Sequence, residues 1–399
     1  MNILYYCDEY PPARSGGIGT VVKLVAEAMV KRGHRVFVAG KYCDKRENKT
    51  IEVINGVTVI RWHKGSYNTL GIRCCNLCHS DRNKQKKAQR ILCRTHQLVE
   101  RAITKYHIDV VEMPDYIDDF MHYEHLNVER LRFSIPMVIR VHGSVSFLNY
   151  YLNKETTLEK KIEQDRGNFS RADAICAVSG FSKRYVEENL SPYKDIEVIY
   201  NPIDSGSFKN VIQSDTEFPI ILFFGKIAKM KGVLSLIKAF NILAEKKKQA
   251  RLRLVGGGDI ETAKRLVDSR FVDRVEFAGF VPHESIADEI DAATFCVLPS
   301  YFENFSMAAL EVLARRKALI YTERSSGKEL INDGVNGLLI NPDNVGQIAE
   351  KMDMLLSDAD LRQRLAENGF KMCKSRFSTE KIIPQMEQYY YNVIKKCRK

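Results

Sequence analysis

The sequence predicts an α/β protein built from two doubly wound, Rossmann-like parallel-sheet domains. Three observations carry that reading. Short apolar runs alternate with longer stretches of helical periodicity along the chain, which is the pattern of βαβ units. The first such unit holds a glycine-rich loop, Ser15-Gly16-Gly17-Ile18-Gly19, between strand and helix. The chain has 399 residues, more than one ordinary core holds, and the strand–helix series starts afresh after Pro202.

The elements follow in order. Ile3 to Cys7 reads as a strand. Val21, Leu24, Val25, Ala28 and Met29 recur at helical spacing up to Gly33, and Val36 to Ala39 is the next strand. Further strands are expected at 57–61, 110–112, 137–141, 174–178 and 197–199. Between them, residues 81–106 place Leu92, Thr95, Val99, Ala102 and Ile103 on one helical stripe and Arg90, Arg94, Arg101 and Lys105 on the other face. The second series has expected strands at 220–224, 251–255, 275–278, 295–298, 318–321 and 337–340, with helices at 233–245, 308–314 and 345–356. A first domain over 1–200 and a second over 201–377 follow, with a hinge at 201–206. A last helix over 378–397 is expected to pack back on the first domain. Ligands of such sheets bind outside the carboxyl ends of the strands, so the functional residues are sought there, in a cleft with one wall from each domain.

Composition narrows the class. Apolar residues make up 45% and charged residues 28%, as in folded globular proteins. No apolar run reaches the length of a bilayer span, and Met1-Asn2-Ile3-Leu4-Tyr5-Tyr6-Cys7-Asp8 lacks the basic lead of an export signal. A cytoplasmic protein is therefore expected, and ten cysteines in such a chain do not read as a disulfide framework. Cys75, Cys78 and His79 spell the C-x-x-C-H haem-attachment pattern. That attachment needs export, and a zinc site would need two more ligands, for which Cys93 and His96 are a loose pair; the pattern is read as coincidence. The formal net charge is +11, which favours an anionic partner.

Three segments carry chemistry. In Glu303-Asn304-Phe305-Ser306-Met307-Ala308-Ala309-Leu310-Glu311 two carboxylates flank a small-residue junction between loop and helix. A helix starting near Ser306 would present free amides to a phosphate. Glu311 could accept hydrogen bonds from a ribose diol, and Glu303 could reach a second polyol. The same spacing fits a capped helix with two surface glutamates. In Gly225-Lys226-Ile227-Ala228-Lys229-Met230-Lys231-Gly232, three lysines follow a strand end, where cations can neutralise a diphosphate; the same run taken alone fits a solvated basic turn. The third segment is the loop at Gly16 and Gly17, where backbone amides can approach an anion.

Taken together, these segments resemble the retaining, nucleotide-sugar-dependent glycosyltransferases of the GT-B fold, family four. Glu303 and Glu311 match that family's E-x7-E motif, and Gly225 to Gly232 matches its G-R-x-x-x-x-K-G segment with Lys226 in place of arginine. Glu329 to Gly337, Arg140-Val141-His142-Gly143, the segment 172–179 and the segment 198–204 also fit. Arg315-Arg316-Lys317 departs from the family, which has a small-residue and glycine turn there.

The resemblance implies that Lys226 and Lys231, with the amides around Phe305, Ser306, Met307 and Ala308, hold the donor diphosphate. Glu311 would hold the ribose, Glu303 the donor sugar, and the main chain at Phe280 and Val281 the base. His142 would lie near the transferred sugar, and Gly16 and Gly17 near donor phosphate and acceptor. Negative charge grows on the departing diphosphate, and fixed cations with a helix N-terminus stabilise it. No metal and no cofactor is therefore expected. The leaving phosphate would accept the incoming hydroxyl's proton, so neither glutamate would be a glycosidase-type nucleophile.

Residues 71–106 hold nine Lys and Arg against two acids. A basic face over 82–105 could hold the protein against anionic lipid at the inner face of the plasma membrane, or contact an acidic or lipid-diphosphate-linked acceptor. It could equally be a solvated helix face. No nucleic-acid module is evident. A glycan or lipid-linked acceptor in bacterial surface polysaccharide assembly is expected, with UDP-sugar or GDP-mannose as donor. The competing readings are a nucleotide-sugar epimerase and a non-catalytic nucleotide-sugar-binding subunit.

Overall fold

The computed structural model describes residues 1–11, 16–42, 51–63, 81–117, 131–151, 158–191, 195–208, 218–247 and 249–398, without the side chains of 81–88 and 91. Cys75, Cys78 and His79 lie outside the described residues, as do the side chains of the basic residues up to Lys87. The chain divides into two compact units: Met1–Pro202 with Ile382–Lys399, and Ile203–Lys381.

The N-terminal unit is built on β1 (Asn2–Tyr6), α1 (Gly17–Lys31), β2 (Arg35–Tyr42), β3 (Ile51–Ile54), β4 (Val57–His63), α2 (Asp81–Tyr106), β5 (Val110–Pro114), β6 (Met137–Val141), α3 (Val145–Tyr151), α4 (Leu158–Phe169), β7 (Ala174–Ala177), α5 (Gly180–Asn189) and β8 (Ile196–Val198). The strand order is β3-β4-β2-β1-β5-β6-β7-β8. Every pairing is parallel except β3 on β4. The expected strands are present, and β3 is an addition. It arises because Asn55 and Gly56 both take positive φ, +49° and +82°, the turn that joins two antiparallel strands. On α2 the apolar stripe is buried, with Val99 at 0% exposure, and Arg90, Arg101 and Lys105 are exposed. His96 faces Glu100 at 3.7 Å and stacks on Phe133.

The parallel strands are covered on both faces, so they read as unbroken apolar runs. Glu112 on β5 and Arg140 on β6 break the rule and are nevertheless buried. Arg140 donates through Nη2 to the carbonyl of Ile199 at 2.8 Å. The carboxylate of Glu112 accepts from the hydroxyl of Tyr390 at 2.6 Å. Tyr390 lies on the last helix, Thr379–Cys397, whose buried stripe of Ile382, Ile383, Met386, Tyr390 and Val393 belongs to this unit from Ile382 on. Burial pushes the Glu112 carboxyl up, while Arg140 and the Tyr390 hydroxyl pull it back.

The C-terminal unit runs β9 (Ile220–Phe224), α6 (Val233–Lys246), β10 (Arg251–Val255), α7 (Ile260–Lys264), β11 (Val275–Gly279), α8 (His283–Ala292), β12 (Phe295–Leu298), α9 (Met307–Ala314), β13 (Ala318–Thr322), α10 (Gly327–Leu330), β14 (Leu338–Ile340), α11 (Val345–Ser357) and α12 (Ala359–Phe377); the last helix of the chain is α13. Its sheet has the order β11-β10-β9-β12-β13-β14 and is wholly parallel. The order reverses between β9 and β12, and the loops that follow these two strands meet at the carboxyl edge, where ligands of such sheets bind.

The departure at Arg315-Arg316-Lys317 has a structural account. Arg316 takes φ +52°, the left-handed conformation that a glycine adopts without strain. Its guanidinium lies 4.0 Å from the Phe370 ring centre and 3.1 Å from Glu367. Arg315 forms a fork on Asp291, and Lys317 donates to the carbonyls of Asp291 and Ala293 at 2.8 and 2.7 Å. The basic triplet ties the end of α9 to α8 and α12.

Two substitutions test this account. Tyr390→Phe strands a buried carboxylate and should lower unfolding free energy by about 1–3 kcal/mol, read by urea denaturation. Gly232→Ala should cost about 2–4 kcal/mol by the same measurement, because Gly232 has φ +71° and a Cβ there would meet the Pro299 carbonyl oxygen at 1.8 Å.

Candidate functional site

The C-terminal unit brings its site residues to the edge where the strand order reverses. β9 ends at Phe224, and Gly225 to Ala228 lead into a short 3-10 turn over Lys229–Lys231. Gly256, just after β10, lies so near this loop that a Cβ on it would meet the Gly225 carbonyl oxygen at 1.9 Å. On the other side, the amide of Tyr301 donates to the carbonyl of Met230 at 2.8 Å. The lysine loop is thus clamped from both flanks by backbone.

That clamp sets Lys231 against Glu303. The Nζ of Lys231 donates to Oε1 of Glu303 at 2.6 Å, and the hydroxyl of Ser300 donates to the same oxygen at 2.8 Å. Oε2 of Glu303 has no partner among the described residues. The Lys231 side chain is 38% exposed and that of Glu303 15%, so solvent screens the pair and its contribution to stability is about 0–1 kcal/mol. Ser326 holds the Glu303 carbonyl through its hydroxyl at 3.1 Å, which fixes the backbone behind the carboxylate.

The helix α9 starts as expected. Ser306 is its N-cap and accepts from the amide of Ala309 at 3.3 Å. The amides of Met307 and Ala308, one residue past the cap and two, have no acceptor among the described residues, and they carry the positive end of the helix dipole. Phe305, the residue before the cap, is buried against Phe377 with ring centres 5.3 Å apart. Phe305 therefore anchors the junction from below.

Glu311 lies farther along α9, with its side chain 17% exposed and Oε1 at 3.8 Å from Nε2 of His283. Burial pushes its carboxyl up to about 7, since a desolvated carboxylate is costly. Lys226 is exposed and has no partner among the described residues. Phe280, at the end of β11, is 82% exposed, an unusual state for a ring of that size. Val281 is half-buried beside it.

The residues expected from the N-terminal unit lie at the carboxyl edge of its own sheet. His142 follows β6. Its amide donates to Oδ1 of Asp115 at 2.7 Å, and the amide of Gly143 donates to Oδ2 at 3.1 Å. Asp115 is 1% exposed, and burial pushes its carboxyl up to about 7 against the pull of those two amides. His142 is driven down to about 3 by burial, with the Arg140 charge adding to it, which favours the uncharged ring at neutral pH. Gly16 is the N-cap of α1. Its amide and that of Gly19 donate to Oε2 of Glu9 at 3.1 and 3.4 Å, so the chain's own carboxylate sits at this helix start. Gly17 has open space where a side chain would stand.

Four functional candidates escaped the sequence reading. Ser300 was visible only as the residue after Pro299. His283 and Glu9 belong to no motif. Asp115 had one signal, an acid directly after an apolar strand, and nothing in the spacing ties it to His142.

Two family models match the chain: Glycosyltransferase Family 4 over residues 15–206 and Glycosyl transferases group 1 over residues 204–372. An uncharacterised glycosyltransferase of Methanocaldococcus jannaschii is 26% identical over 98% of both chains. Among solved structures, sucrose-phosphate synthase from Thermosynechococcus elongatus superposes with a TM-score of 0.78 at 22% identity, covering 98% of this chain and 99% of that one. Anabaena HepE in complex with UDP and glucose gives 0.69 at 17% identity, covering 98% and 99%. The two family models meet at residues 204–206 and leave only the chain's ends uncovered; this chain belongs to the group 1, family four glycosyltransferases of GT-B fold.

Proposed function

We propose that this glycosyltransferase moves a sugar, with retention of anomeric configuration and without a metal ion, from a nucleoside-diphosphate sugar to a hydroxyl of a glycan or lipid-linked acceptor. The observation that carries the reading is the Lys231–Glu303 contact at the reversal of strand order, one loop away from the open amides at the start of α9. A diphosphate needs fixed positive charge, and a sugar needs a carboxylate oxygen with room to accept. Both stand at this edge, since Oε2 of Glu303 has no partner among the described residues.

In this reading Lys226, Lys231 and the amides of Met307 and Ala308 hold the diphosphate. Glu303 accepts from a hydroxyl of the donor sugar, and Glu311 accepts from the ribose. The main chain at Phe280 and Val281 meets the base, where the exposed Phe280 ring offers a stacking face. The solved HepE complex with UDP supports a uridine donor. On the other unit, the neutral ring of His142 hydrogen-bonds the transferred sugar, and the Gly16–Gly17 turn lies beside the acceptor.

The chemistry balances without a protein nucleophile. The bond from the anomeric carbon to the diphosphate oxygen breaks, and its electron pair leaves with the diphosphate. The acceptor oxygen bonds the same face of the anomeric carbon, and its proton passes to the departing phosphate. The lysines and the helix dipole stabilise the charge as it grows. Charge already fixed in place does this without solvent reorganisation. The task we assign is surface polysaccharide assembly in the cytoplasm, at the inner face of the membrane. The exposed Arg90, Arg101 and Lys105 of α2 support contact with anionic lipid. No helix among the described residues is long and apolar enough to cross a membrane.

Lys231→Ala should lower kcat by roughly 10²- to 10³-fold and leave thermal unfolding nearly unchanged, because the exposed pair holds little stability. Release of UDP or GDP from matched sugar donors, with and without EDTA, measures this; normal turnover in the variant, or loss of wild-type rate in EDTA, sinks the assignment. Product anomers read by NMR test retention. A pH series tests Glu311. Its ionised form is the one that accepts two ribose hydroxyls, and its pKa is pushed up to about 7. Donor KM should therefore rise as pH falls through 7, and Glu311→Gln should flatten that dependence.

A further inference from the structure

Five aromatic rings form one cluster in the N-terminal unit, at the carboxyl edge of its sheet. Three of them, Phe147, Phe181 and Tyr185, are buried, at 0%, 8% and 1% exposure. Tyr150 and Tyr151 lie on top of them and are 46% and 38% exposed. The contacts are close. Tyr150 and Tyr151 have ring centres 4.9 Å apart at 79°, Tyr151 is 4.6 Å from Phe181, and Tyr150 is 5.5 Å from Tyr185. Tyr185 is itself fixed, because its hydroxyl donates to Oγ of Ser146 at 2.9 Å. Two tyrosines are thus presented to solvent on a rigid aromatic bed, although tyrosine buries large apolar area when it can. Rings already held in place lose little freedom on binding.

The cluster adjoins the His142 turn. Phe147 lies 3.6 Å from where a Cβ on Gly143 would stand, and α3 begins two residues after that glycine. The order β1-β5-β6 within the sheet sets the loop after β1, which carries Glu9, on the same edge. Oε2 of Glu9 is engaged by the amides of α1, while Oε1 has no partner among the described residues. Two of the amides that would attract an anion to this edge, those of Gly16 and Gly19, are thereby engaged, and a further anion meets a carboxylate.

We propose that Tyr150 and Tyr151 form the acceptor platform, one ring stacking on the apolar face of a neutral sugar ring and the other, set at 79° to it, meeting the sugar's edge, and that Glu9 disfavours phosphorylated or carboxylated acceptors. This deepens the glycosyltransferase reading and rests on it for the word acceptor. A sugar suits the platform because its axial C–H groups match a tyrosine face, while the phenolic hydroxyls reach its equatorial hydroxyls. An alkyl chain would use the faces alone.

Saturation-transfer NMR on the full chain tests this. The probes are the methyl glycosides of glucose, galactose, mannose and N-acetylglucosamine, with octyl β-glucoside below its micelle concentration and glucose 6-phosphate. Ring protons of at least one neutral glycoside should saturate, and glucose 6-phosphate should bind more weakly until Glu9→Gln narrows the gap. The Tyr150→Ala, Tyr151→Ala double variant should bind roughly tenfold more weakly, about 1.4 kcal/mol, and the double Phe variant, which keeps the ring faces and loses only the hydroxyl contacts, should bind more tightly than the double Ala variant. No saturation of any ring, equal binding in the Ala variant, or saturation of the octyl protons alone overturns the platform. A thermal shift with UDP on the same samples is independent of it: a missing shift counts against the donor reading and leaves the sugar result standing.

Discussion

The close approach of Gly232 to the Pro299 carbonyl is the constraint from which the C-terminal site follows. A left-handed residue without a side chain lets the loop after β9 lie directly on the loop after β12. The Tyr301 amide then reaches the Met230 carbonyl, and Lys231 meets Glu303 across 72 residues of sequence. None of this depends on the ion pair, which is too exposed to hold the loops together. The backbone places the charges, and the charges remain available for a ligand. A site held by its own ion pair would have to break that pair to bind a diphosphate.

Burial divides the titratable groups by task. Lys226 is exposed and Lys231 partly so, which leaves both within reach of a ligand. Glu311, more enclosed, has its carboxyl raised to about 7, which makes it responsive near neutrality. His142 is driven the other way, to about 3, because desolvation and the guanidinium of Arg140 both oppose a second positive charge on that strand. In the proposed reading an uncharged imidazole would not repel an oxocarbenium-like sugar, whereas an imidazolium would. The buried Asp115 serves the same end through geometry, since its carboxylate fixes two consecutive amides at the histidine.

Much of this was legible in the sequence, for identifiable reasons. Buried parallel strands are continuous apolar runs, and their positions were read within a few residues. The lysine loop, the two glutamates and the Ser306 cap sit at strand ends and a helix start, where local chemistry marks function. The helices α3, α4 and α5 were not read, because their buried faces include Ser146, Asn149, Gln164, Asp165, Asn168 and Ser182, which break an apolar period. The β3 strand was missed although Asn55-Gly56 signals its hairpin. Arg316 could not be understood from sequence at all: its left-handed backbone is compensated by Phe370 and Glu367, which are over fifty residues away.

In the proposed reading the two units would recognise ligands by different means, and the difference bears on how such proteins diverge. In the C-terminal unit the recognising atoms are backbone amides and lysines on loops that have no room to move. A methyl group at Gly232 or Gly256 would collide with a carbonyl. Such a site keeps one ligand chemistry, a diphosphate, because changing it means refolding the loops. In the N-terminal unit the recognising atoms are side chains standing on a buried aromatic bed. Tyr150 and Tyr151 can be exchanged while Phe147, Phe181 and Tyr185 hold α3 in place, since the exposed rings add contact area without closing the core. The proposed acceptor face would therefore be free to change by single substitutions, while the proposed donor face would be fixed by its backbone.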